Sequence, residues 1–133
     1  MLKNINHIAI IVPDIEAALV FWRDTLGIER ITVEEVISQQ VEVALLQIGD
    51  SSIELVRPTG DDSAAARYLT KHGPGLHHIA LEVSDLDSLT KHLQVKGVRL
   101  LTETPVDASL GNRALFIHPE SANGVLVELY QSD

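Results

Sequence analysis

The 133-residue sequence has no cysteine, which removes disulfides, thiolate metal sites, thiol nucleophiles and iron–sulfur clusters at once. Any metal must therefore sit on imidazole, carboxylate or amide ligands. Aromatic residues make up only 4%, which argues against stacking platforms for nucleic-acid bases and leaves a core built mostly from Ile, Leu, Val and Ala. Cations are few: ten Lys and Arg stand against nineteen Asp and Glu. The formal charge of −9 repels phosphate backbones and anionic membrane surfaces alike. Long apolar runs are missing as well. The stretch 8–12 ends at Pro13-Asp14, too short for a signal-peptide core or a membrane span. The expectation is a cytoplasmic protein with neither nucleic-acid nor membrane partners.

What is present suffices for a packed core. With 45% apolar and 22% charged residues, the chain reads as one globular domain spanning 1–133. It also repeats itself. Writing residues 4–16 above 75–87 aligns His7-Ile8-Ala9 with His78-Ile79-Ala80, Val12 with Val83 and Asp14 with Asp85, without a gap. A second echo sets Ile53-Glu54-Leu55 against Val127-Glu128-Leu129 near the end of each half. The chain is two similar modules, about 1–58 and 75–133, joined by a segment at about 59–74.

Each module reads β-α-β-β-β. In the first, 5–11 is β-branched and strand-like, and Asp14 opens a helix carrying Ile15, Ala18, Leu19, Trp22 and Leu26, which Gly27 closes. Strands follow at about 29–36, 41–48 and 52–56, the last two joined at Gly49-Asp50. In the second, 76–83 is a strand, Asp85 caps a helix carrying Leu86, Leu89 and Leu93, and Gly97 ends it; strands at about 98–102, 113–118 and 125–130 complete the set. Residues 63–69 predict a short linker helix stopped by Gly73-Pro74. The economical packing is α+β, with two four-stranded sheets that each carry a helix on the outer face and a shared cavity between them.

The repeat places a His in the first strand of each module, His7 and His78, and a Glu in the last, Glu54 and Glu128. Brought together by pseudo-twofold symmetry, two neutral imidazoles and two carboxylates balance the charge of a divalent cation and leave open positions on a six-coordinate ion. Taken singly, each residue has a plainer role: a His among Ile and Ala is commonly a hydrogen-bonded core residue, and a Glu in an apolar strand commonly points to solvent. The duplication is what favours the ligand reading. Ala9 and Ala80 share the strand faces of His7 and His78 and leave space beside them.

Glu42 stands apart. It shares a strand face with Ala44 and Leu46, an expensive place for a carboxylate if that face is buried, and its repeat-related position lies close to Ala114. A desolvated carboxylate near a metal suits a general base; on an edge strand it would simply be solvated. The other histidines, His72, His77, His92 and His118, read as structural or surface residues. No Gly-rich phosphate loop, nucleophile elbow or His-Glu-x-x-His motif is present.

Over essentially the whole chain these residues resemble the vicinal oxygen chelate superfamily and, within it, the methylmalonyl-CoA epimerase family. The resemblance rests on Asn6-His7-Ile8-Ala9-Ile10, on residues 68–83 with their Gly75-Leu76-His77-His78, and on Phe116-Ile117-His118-Pro119 followed by residues 124–129. It implies paired βαβββ modules forming curved sheets around a metal-containing cavity. It further implies His7, Glu54, His78 and Glu128 as metal ligands, with Glu42 and Glu128 as the two bases acting on opposite faces of an acyl-CoA substrate. The implied ion is Co²⁺, although N and O donors also admit Mn²⁺, Ni²⁺, Zn²⁺ or Mg²⁺. The implied chemistry is inversion at the carbon between a thioester and a carboxylate, by proton transfer through an enolate. Arg57, Arg67, Lys71 and Arg113 are the candidates for the CoA phosphates, and a homodimer is expected by analogy. Three other readings stay open: a glyoxalase I-like lactoylglutathione lyase with the same ligands, an extradiol dioxygenase that leaves Glu54 unexplained, and a metal-free binding module.

Overall fold

The computed structural model describes residues 1–108 and 111–132. The chain forms two compact units, His7–His77 and Met1–Asn6 together with His78–Asp133. This division departs from the expected module boundaries at both ends of the first module. Residues 1–6 join the second unit because the Ser84 amide donates to the Met1 carbonyl at 3.0 Å and Lys3 Nζ lies 3.8 Å from Glu82. The linker helix joins the first unit because Ala65, Tyr68 and Leu69 pack against that unit's core.

The first unit takes β1 (Leu2–Ile11) from His7 onward, α1 (Ile15–Leu19), β2 (Ile31–Val36), β3 (Val41–Ile48), β4 (Ser51–Pro58) and α2 (Ala64–His72). Asp14 and Ser63 cap the two helices, accepting from the amides of Ala17 at 2.9 Å and Ala66 at 3.0 Å. The first helix runs to Leu26 as expected, but from Val20 to Thr25 it widens into a π-helix, with Leu26 N donating five residues back to Phe21 O at 2.9 Å. The sheet order is β2-β3-β4-β1, antiparallel except for the parallel pair β4/β1.

Side-chain alternation splits this sheet into two faces. Ala44, Leu46 and Leu55 pack with Ile15 and Leu19 of α1. Ala9, Ile11, Val36, Val41, Val43 and Val56 occupy the opposite face, against Ala65 of α2.

The second unit has β5 (Gly75–Val83) from His78 onward, α3 (Leu86–Val95), β6 (Val106–Asp107), β7 (Arg113–Ile117) and β8 (Val127–Gln131), in the order β5-β8-β7-β6. Val83, Leu115 and Leu129 pack under α3, while Ala114, Phe116 and Tyr130 lie on the other face. The Asp85 carboxylate caps α3, accepting from the amide and hydroxyl of Ser88 at 3.0 and 2.8 Å, and these bonds hold its pKa below the usual carboxylate value.

The strand expected at 98–102 is not formed: Leu100 makes only an isolated bridge to Ile117. Thr102 Oγ1 donates to the Thr104 carbonyl at 2.8 Å, turning the chain away just before Pro105 removes a further donor. The edge strand is the two-residue β6 instead. The last strand starts at Val127, two residues later than expected, because 122–125 complete a turn in which Gly124 N donates to Pro119 O at 2.8 Å.

Candidate metal centre

In the first unit the parallel register sets Ala9 beside Glu54, which puts His7 and Glu54 on one face of the sheet. His7 Nε2 lies 3.4 Å from Glu54 Oε2, with the side chains 1% and 9% exposed. In the second unit the equivalent register sets Ala80 beside Glu128. His78 Nε2 lies 3.5 Å from Glu128 Oε2, again with both side chains buried. The Phe116 ring meets the His78 imidazole edge-on at 5.5 Å, fixing one wall of that pair. Ala9 and Ala80, both fully buried, put small side chains at the strand positions next to His7 and His78.

These distances bear on whether a metal fits. An N–H···O hydrogen bond settles at about 2.9–3.0 Å, shorter than either pair. Nitrogen and oxygen donors bound about 2.0–2.2 Å from one ion, at octahedral or tetrahedral angles, stand about 3.0–3.5 Å apart. Each pair therefore has the spacing of two ligands on a shared cation. The donor chemistry agrees, since a buried carboxylate is costly unless a positive charge balances it. The pairs fit a divalent ion.

Glu42 does not join them. It does share a face with Ala44 and Leu46, as its sequence parity requires, but that face packs against α1 and lies opposite His7 and Glu54. Nor is it desolvated: its side chain is 33% exposed and accepts a 3.1 Å hydrogen bond from Arg57 Nε, directly across on β4. β3 is not an edge strand, so that alternative also fails. The repeat-related residue is Arg113 rather than Ala114, because Glu42 opposes Arg57 as Arg113 opposes Gln131. On the His7–Glu54 face β3 presents Val41, Val43, Leu45 and Gln47, and opposite Val43 on β2 stands Glu34, half-buried. Sequence reasoning passed over Glu34, although the parity of β2 relative to buried Val36 would have found it.

Of the four candidate phosphate cations, Arg57 is engaged by Glu42, Arg113 meets Asp87 at 2.8 Å, and Arg67 donates to the Asp62 carbonyl. Lys71 is exposed near the end of α2. His72 and His77 pack their rings against Tyr68, and His118 Nδ1 accepts from the Glu120 amide, which gives these histidines structural roles.

Residues 6–116 match the Glyoxalase/Bleomycin resistance protein/Dioxygenase superfamily. A methylmalonyl-CoA epimerase of Homo sapiens mitochondria is 36% identical over 98% of this chain and 75% of its own. An ethylmalonyl-CoA/methylmalonyl-CoA epimerase of Cereibacter sphaeroides is 38% identical over 98% of this chain and 99% of its own. Among solved structures, a Streptomyces coelicolor methylmalonyl-CoA epimerase in complex with 2-nitronate-propionyl-CoA is 39% identical, covers 99% of this chain and 96% of its own, and superposes with a TM-score of 0.95. A methylmalonyl-CoA epimerase bound to methylmalonyl-CoA and ammonium gives the same score and identity.

Proposed function

The chain belongs to the glyoxalase/bleomycin resistance protein/dioxygenase superfamily, and from that premise we infer that it is a methylmalonyl-CoA epimerase, interconverting the (R) and (S) thioesters. The observation that carries the reading is the pair of buried imidazole–carboxylate couples, repeated in the two units at ligand spacing. We propose that His7, Glu54, His78 and Glu128 together hold one divalent ion. Co²⁺ is our assignment by family resemblance, in a donor set that also accepts Mn²⁺, Ni²⁺, Zn²⁺ or Mg²⁺.

The hydrogen to be moved sits between a thioester carbonyl and a carboxylate. Its removal at neutral pH needs the developing negative charge on the thioester oxygen to be stabilised. When bound, the ion supplies that stabilisation and a counter-charge for the malonyl carboxylate. The protein's own residues perform the proton transfers. Inversion requires one proton to leave one face of the α-carbon and one to arrive on the other. Glu128, buried beside His78, is the carboxylate we assign to one of these faces. The acyl-CoA phosphates meet a chain of net charge −9, so local cations must hold them; Arg67 and exposed Lys71 are the candidates with no ion pair to give up among the described residues.

Incubation of the metal-loaded protein with a single methylmalonyl-CoA epimer in heavy water tests the reading. Inversion accompanied by deuterium uptake at the α-carbon is expected. A protein carrying full metal that inverts neither epimer would overturn it, and turnover of a glutathione hemithioacetal in its place would point to a lactoylglutathione lyase.

A further inference from the structure

Inversion needs a proton-transfer group for each face of the α-carbon, and the placement of Glu42 leaves the first unit without the one the sequence suggested. We propose that Glu34 is the proton-transfer group contributed by the first unit. The proposal rests on the epimerase reading and adds a catalytic residue to it.

The argument is one of faces. In the antiparallel sheet, Glu34 opposes Val43 and Val43 opposes Val56. Directly opposed residues share a face, so this row lies on the side that carries His7 and Glu54. Buried Val36, two residues along β2, confirms that side by packing with Ala9, Ile11 and Val43. The strand residues of this unit on that face include Thr32, Val41, Leu45, Gln47 and Ser52, none of them a carboxylate. His7, Glu54 and Glu34 are the acid–base groups on that face in the described strands of this unit, and His7 and Glu54 are the proposed metal ligands, which leaves Glu34.

Separation also favours the pairing. Glu34 and Glu54 are two strands apart and displaced by two residues along the strands, which places their backbones about 12 Å from each other at ordinary sheet spacings. Leu45 lies between them, directly opposite Glu54 and partly exposed. A methylmalonyl group, three carbons along its main chain with a methyl branch, would span the interval between the proposed ligand Glu54 and Glu34 if it lay over Leu45.

In one direction the Glu34 carboxylate accepts the α-proton. The C–H electron pair passes through the new C=C bond to the thioester oxygen, and the proton-transfer group on the opposite face delivers a proton to the α-carbon as the enolate collapses. The reverse direction exchanges the two roles, and proton exchange with water resets the pair.

Metal-loaded wild type, Glu34→Gln and Glu42→Gln should be compared on each epimer separately in heavy water, with metal content measured on all three. We expect Glu34→Gln to retain its metal but to lose about 10²–10⁴-fold in inversion. It should still exchange the α-proton of the one epimer whose hydrogen faces away from Glu34, an exchange without inversion that general destabilisation would not produce. Glu42→Gln should stay within about twofold of wild type, because Glu42 lies on the face that packs against α1, opposite His7 and Glu54. Glu34→Gln inverting within about tenfold of wild type, or losing exchange from both epimers equally, would overturn the proposal while leaving the epimerase reading intact. A fully metallated wild type that inverts neither epimer would remove the reading, and the proposal with it.

Discussion

Removing the metal should destabilise the protein by an amount that a single ligand substitution abolishes. In each unit a carboxylate less than a tenth exposed faces an imidazole at 3.4 or 3.5 Å, so a bound cation relieves charge at two buried places. Metal that binds only the folded chain adds RT ln(1 + [L]/Kd), about 2.7 kcal/mol when free metal stands at a hundred times Kd. For a domain of 133 residues each kcal/mol moves Tm by about 4 °C, so metal-loaded protein should melt about 10 °C above chelated protein. In His7→Ala or His78→Ala, loss of one ligand weakens affinity by about 100-fold or more. At the same free metal the stabilisation then falls to about 0.4 kcal/mol, and the shift to about 2 °C. Calorimetric melts of the three proteins, each with and without a chelator, read this directly, with His72→Ala as a control that should keep the full shift. A full metal-dependent shift in both His7→Ala and His78→Ala would refute the shared four-residue site.

Three further outcomes are expected. Leu55 is fully buried between Ala44, Leu46 and α1, so Leu55→Ala should cost about 2–5 kcal/mol in urea unfolding; a cost below about 1 kcal/mol would mean that this face is not packed as described. Asp85 has its pKa lowered by its bonds to Ser88, so its contribution is present above the unfolded carboxylate value and lost as pH falls through the folded one. Asp85→Asn keeps a capping oxygen but should lack that acid-limb loss, and unfolding curves that stay parallel to wild type below pH about 4 would count against it. We also propose a homodimer, the commonest closed assembly, and light scattering that returns a single-chain mass at working concentration would exclude it.

Much of the fold is legible in the sequence because it is written twice. The capping residues Asp14 and Asp85 and the pairs His7/Glu54 and His78/Glu128 recur in register, and recurrence turns weak local signals into a consistent frame. What could not be read lies where the two halves differ. The segment 98–105 fails as a strand because Thr102 bonds forward to Thr104 ahead of Pro105, a local competition that periodicity does not register. The π-helical turn after Leu19 involves a one-residue change in hydrogen bonding, Leu26 to Phe21, that leaves the apolar spacing intact.

Glu42 is the instructive case, because its parity was right but did not show which face it marks. Strand alternation correctly groups it with Ala44 and Leu46, but alternation alone cannot tell which of two apolar faces a helix covers and which one carries the ligands. β3 is apolar on both sides, with Val41 and Val43 as buried as Ala44 and Leu46, so an inward charge and an outward one look the same in sequence. The register with β4 decides between them: Leu45 opposes Glu54, and Glu42 opposes Arg57. A carboxylate with a guanidinium across the strand is accounted for as a surface pair worth about 0–1 kcal/mol of stability. The same register leads to Glu34, which the sequence offers only as one of two adjacent acids, Glu34-Glu35. The two point to opposite faces, and only Glu34 shares one with His7 and Glu54.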